Sequence, residues 1–140
     1  MLRFDSLGFV EAEKAIAAGI AAARARNRTM AFAVADRHGD MIATARMDGA
    51  HARILTHSMR KAYTASVMCR NTLGFKRDLE ERHGDLAQWG DDRLTTLPGG
   101  LVVQSSGNCV GGVGAGGGGP DDEAVARAMV EAMGFVVMGR

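Results

Sequence analysis

A chain of 140 residues is long enough for one domain with a true core and too short for two ordinary ones. Hydrophobic residues make up 46% and charged residues 24%, a folded rather than a disordered composition. The formal net charge of +1, from 17 basic and 16 acidic side chains, gives no global field to draw in nucleic acid or an anionic membrane. No apolar run approaches the roughly 20 residues of a spanning helix. The opening MLRFDSLGFVEAEK carries acids where a signal peptide keeps an uncharged stretch, so a cytoplasmic protein is expected.

Residues 5 to 27 read as a helix that Asp5 or Ser6 can cap, with Phe9, Ala12, Ile16, Ile20 and Ala23 on one face. Arg24, Arg26 and Arg28 suit its negative C-terminal pole. Residues 30 to 36 alternate: Met30, Phe32 and Val34 face one way, and Ala31, Ala33 and Ala35 the other. Both faces are apolar, which predicts cover on both sides, with a helix close to the alanines. Arg37-His38-Gly39 fits a hairpin turn, and the second strand runs from Met41 to Met47. A second helix spans 51 to 70, and 75 to 83 forms a short charged helix ended by Gly84. Residues 84 to 100 read as loop. Leu101 to Gln104 and Cys109 to Ala115 form a second hairpin, followed by a helix from about Asp121 to Met133. The apolar tail GFVVMGR is a docked segment or a subunit contact. Two hairpins can join into one antiparallel sheet with helices on its faces, an α+β fold in a single domain over 1–140.

Cys69 and Cys109 cannot form a disulfide framework and read as two small buried hydrophobes. The four histidines lack HExxH or HxH spacing, so no metal site is expected.

Four segments carry a family resemblance: AVADRHGDMIATARMDGA (33 to 50), MRKAYTAS (59 to 66), LPGGLVVQSSGNCVGGVGAGG (97 to 117) and DDEAVARAM (121 to 129). In this order and at these spacings the chain resembles the GlcG/HbpS family, which includes the C-terminal domain of PduO-type proteins. The resemblance implies a profilin-like sandwich, an antiparallel sheet of about five strands with helices on both faces. It also implies a homo-oligomer, a dimer or higher. Some members bind haem and one branch senses or degrades it; others accompany organic-acid catabolism. Haem ligation differs between members, so no axial residue carries over. Many members have Val-Ser-Gly after the last strand; here Ala115-Gly116-Gly117 lacks the hydroxyl.

Arg53, His57, Lys61, Thr64 and Met68 make one stripe on the second helix. The stripe is a solvated face or a site. Lys61 is one of three lysines and lies in the KAxTA element; beside apolar residues it could act as base or nucleophile, or hold a carboxylate or haem propionate. Arg46 and Asp48, before Gly49, are a structural pair or a carboxylate fork with an acid beside it. If Arg46 and Lys61 converge at the sheet edge, they bind an organic anion. Gly111 to Gly119 holds seven glycines in nine residues. The run is an anion nest or lets the strand meet a helix or a neighbouring subunit closely. Pro98, Gly99 and Gly100 line the same rim, with Gly116. His57 is the preferred proton-transfer or haem-side histidine, ahead of His51; His38 and His83 read as surface residues, and Trp89 as packing, a ligand cover or an interface anchor.

Three functions follow. The first is a small-ligand-binding protein for haem or a related carboxylate-bearing ligand. The second is a cofactor-free enzyme on a small unsaturated or oxo organic acid, an isomerase, hydrolase or deaminase. There Lys61, His57 and Asp48 would be the catalytic groups, and Arg46, Thr64 and the glycine amides would hold the substrate. The third is a structural oligomer module.

Overall fold

The computed structural model describes residues 1–139. The chain forms helix α1 (Phe9–Ala25), strands β1 (Ala31–Asp36) and β2 (Met41–Arg46), helices α2 (Ala52–Val67) and α3 (Thr72–Glu81), strands β3 (Gly100–Ser105) and β4 (Asn108–Gly116), and helix α4 (Asp122–Ala132). The four strands pair antiparallel in the order β2-β1-β4-β3. The two hairpins therefore join through β1 and β4, and the sheet has four strands among the described residues where the resemblance implied about five.

The register explains how the faces are covered. Ala31, Ala33 and Ala35 of β1 sit opposite Gly116, Gly114 and Gly112 of β4. Those small residues form a shallow trough into which α2 settles. A Cβ on Gly114 would lie 2.1 Å from the Ser58 carbonyl oxygen, and one on Gly112 would lie 2.6 Å from that of Ala62. The glycine run is thus the seat of a helix. Small hydroxyls staple α2 down: Ser58 donates to the Ala31 carbonyl at 3.0 Å and Ser66 to that of Asp36 at 2.6 Å. On the opposite face Phe32, Val34, Leu101, Val103, Val113 and Ala115 pack against α1 and α4 through Ala12, Ala15, Val125 and Met129.

Several boundaries differ from expectation. The first helix begins at Phe9, because Leu7 is buried and gives its N–H to Val110. Glu11 reaches back to the Gly8 N–H at 3.2 Å, while Ser6 accepts from Arg37 across the sheet end. Helix α3 starts three residues early, at Thr72, because Asn71 leaves the helix to accept from Val102 at 3.0 Å. Within the expected loop, Leu86–Trp89 form one 3-10 turn, and Trp89 packs edge-on against Phe75. The tail docks: Phe135 and Val137 pack on the core and the Met138 carbonyl accepts from Asn71 at 2.7 Å. Its last residue, Arg140, lies outside the described residues. Both features that suggested a subunit contact, the glycine run and this tail, are used within the chain. The cysteines are not both buried: Cys69 is exposed and Cys109 half-buried. No helix among the described residues is long and apolar enough to cross a membrane.

Candidate functional site

Where α2 crosses the end of β4, the chain leaves a cleft of about 310 Å³. One wall is Ile54, His57 and Lys61 of α2; another is Leu97 and Pro98; the floor and far wall are Gly116, Gly117, Gly119, Pro120, Asp122 and Glu123. The helix spacing explains the first wall, since residues three and four apart share a face.

Lys61 is 3% exposed. Its ammonium donates to the Ala115 carbonyl at 2.8 Å and to Asp122 Oδ2 at 2.9 Å. Asp122 Oδ1 in turn accepts from the Gly118 N–H at 2.7 Å. The pair ties α2 to the end of β4 and to the start of α4. Lys61 keeps one N–H for a ligand, but its lone pair is not on offer in this arrangement. With Asp122 balancing it and Glu123 beside it, the floor carries net negative charge.

His57 is half-buried on the cleft wall and has no hydrogen-bond partner among the described residues. It is the cleft's one imidazole, free at both ring nitrogens. Pro98 lines the opposite wall. Gly99, at φ 111°, gives its carbonyl to the Ala115 N–H; a Cβ there would meet Ala115, Asp122 and Lys61. Gly100 donates to Thr72 Oγ1 at 3.0 Å, beneath Lys61. These glycines let the 97–100 turn close over the ion pair.

Other expected site residues lie elsewhere. Arg46 does not join Lys61. It is exposed at the end of edge strand β2, with β1 between it and β4, and makes no ion pair among the described residues. Its side of the sheet is the α2 side, opposite Ala31, but α2 sets Lys61 against β4 and β3. Asp48 is exposed in the following turn. Thr64 is fully buried and accepts the Thr95 N–H at 3.0 Å, outside the cleft. Sequence reading missed Asp122 as the partner of Lys61. The available signal was chemical: a lysine in an apolar context needs a counter-ion, and Asp121-Asp122-Glu123 was the acidic cluster at hand.

The architecture is that of a small α+β protein with a ligand-sized cleft at one end of an antiparallel sheet. Residues 7–131 match the model of a family described as haem degrading protein HbpS-like, and the chain belongs to that family. Protein GlcG of Escherichia coli K12 is 36% identical over 99 residues, 71% of this chain and 72% of that protein. A double mutant of Streptomyces reticuli HbpS superposes with a TM-score of 0.84 at 30% identity, covering 94% of this chain and 89% of that one. A PduOC:heme complex shares the fold, with a TM-score of 0.84 at 23% identity over 94% of this chain and 97% of the other.

Proposed function

We propose that the His57 cleft binds haem or a related carboxylate-bearing ligand, making this chain a small-ligand-binding protein. The observation that carries the reading is His57 itself: a half-buried imidazole on the wall of a cleft, without an internal partner. Unpaired imidazole nitrogen is a ready iron ligand. Family membership and the haem complex of a fold relative support the same choice.

The residues present fit haem at some points and constrain it at others. Ile54, Leu97, Pro98 and Pro120 suit a flat apolar ring. The cleft's volume is near the lower end for small-molecule sites, so part of a macrocycle would stay outside it. Asp122 and Glu123 disfavour carboxylates on the floor. Arg53, exposed one turn before His57 on the same helix, is the nearby cation suited to them outside the cleft lining. When bound, haem supplies an iron centre for electron transfer or oxygen chemistry. The protein's part is to hold the ring, offer His57 and keep the carboxylates outward.

A second reading, proton transfer on a small unsaturated or oxo acid, is favoured by the same imidazole standing beside the Lys61 ammonium. Titration with hemin separates the two. A saturable Soret shift reaching one equivalent per chain is expected; an unchanged spectrum at micromolar hemin overturns the haem reading and leaves the acid.

A further inference from the structure

Cys69 follows directly on the C-terminal end of α2, in a left-handed turn at φ 53°. Cys109 is the second residue of β4. Forty positions of chain separate them, yet the fold brings both sulfurs to one acceptor. Cys109 Sγ lies 3.3 Å and Cys69 Sγ 3.5 Å from the Ser66 carbonyl oxygen. Both thiols therefore meet at one carbonyl oxygen, and Cys69 is near enough to raise the pKa of the Cys109 thiol. Neither lines the His57 cleft. Cys69 lies beyond the C-terminal end of α2, roughly 15 Å along the helix axis from His57.

We propose that Cys69 and Cys109 form a reversible dithiol–disulfide pair, oxidised by a low-molecular-weight disulfide such as oxidised glutathione. Exposed Cys69 is the attacking thiol and half-buried Cys109 resolves. Cys69 loses its proton and attacks one sulfur of the small disulfide. That S–S bond breaks, a mixed disulfide forms, and the departing thiolate takes the proton. Cys109 then gives up its proton and attacks Cys69 Sγ, expelling the second small thiol, which takes that proton. Two protein thiols are oxidised and one small disulfide is reduced to two thiols.

The order of roles follows from the surroundings. Burial first, and then the neighbouring Cys69, push the Cys109 thiol up to about 12, so Cys109 is not the thiol that attacks the small disulfide. Closure would tie the end of α2 to the start of β4. The two thiols lie apart from whatever occupies the His57 cleft.

The test equilibrates the full chain in buffers of varied oxidised-to-reduced glutathione ratio, followed by acid quench, alkylation and peptide mass mapping. The expected result is a chain lighter by two hydrogens, with the Cys69 and Cys109 peptides linked, and full return to two thiols in excess reductant. Closing a loop of this length should raise Tm by about 7–14 °C. Cys69→Ser and Cys109→Ser should each abolish the shift. Two free thiols at every ratio, a glutathione adduct on Cys69 that never closes, or linkage only between chains would each overturn the proposal. The mapping uses unaltered protein, so it decides the matter even if a variant folds poorly.

Discussion

The two faces of the sheet are held by opposite means. On the α1/α4 face, Phe32, Val34, Val113 and Met129 exclude water by volume. On the α2 face, alanines and glycines leave little apolar surface to bury, and the helix backbone itself rests on the strands. There the hold comes from close backbone approach and from polar staples: Ser58 and Ser66 to β1, and Lys61 to the end of β4 and to Asp122. The difference shows why the candidate ligand cleft lies on the α2 side. A face made of volume closes over itself. A face made of fixed polar contacts can stop short at its end and leave walls standing, here at Gly116 and Gly117.

The comparison can be broken at its polar staple first. Lys61→Met strands the carboxylate of Asp122, whose side chain is 14% exposed, and should destabilise the fold by about 3–5 kcal/mol in urea denaturation. A cost below about 1 kcal/mol would mean the pair does not hold α2.

Next comes the trough. Gly114→Ala forces a methyl toward the Ser58 carbonyl, where backbone must move, and should cost about 3 kcal/mol. Met129→Leu, fully buried on the other face, should cost less than about 1.5 kcal/mol, because a volume-conserving swap repacks. Equal costs would show the faces to be alike.

The smallest effect concerns Tyr63, on α2 near Asp91 and Arg93. Its hydroxyl donates to Asp91 and accepts from Arg93 at 2.6 Å. Burial and the bond to Asp91 push Tyr63 above its ordinary 10.0, while the bond from Tyr63 holds Asp91 below 3.8. The Tyr63 contribution is therefore full below pH 10.0 and lost as pH rises through the raised value. That of Asp91 is full above pH 3.8 and lost as pH falls through the lowered one. Tyr63→Phe should cost about 1 kcal/mol at neutral pH and flatten both limbs of stability against pH. Unaltered limbs would assign them to other groups.

Much of this was legible in the sequence. The alternation in MAFAVAD gave a large face and a small face, and the register confirms that the alanines meet α2. The glycine run left two readings open, because glycine permits close approach and exposed amides alike; only the pairing of Gly112, Gly114 and Gly116 with those alanines decides between them. Arg46 misled because the Gly49 turn places it near α2 along the chain. Strand order, which local pattern does not encode, puts β1 between it and β4. The Lys61 partner was hidden for the same reason: Asp122 lies beyond the second hairpin, and only the end of β4 brings it back. Cys69 and Cys109 each look like small core residues in isolation, whereas their meeting depends on how α2 ends over the start of β4.

The central functional claim rests on one imidazole, and hemin titration of His57→Ala beside the unaltered protein tests it directly. His57 is half-buried and unbonded, so its removal should leave the thermal midpoint nearly unchanged. Loss of an iron ligand should weaken hemin binding by about tenfold or more, roughly 1.4 kcal/mol, and remove the Soret band of an imidazole-ligated haem. Equal affinity and an identical spectrum in the two proteins would contradict the assignment of His57 as the ligand-binding group.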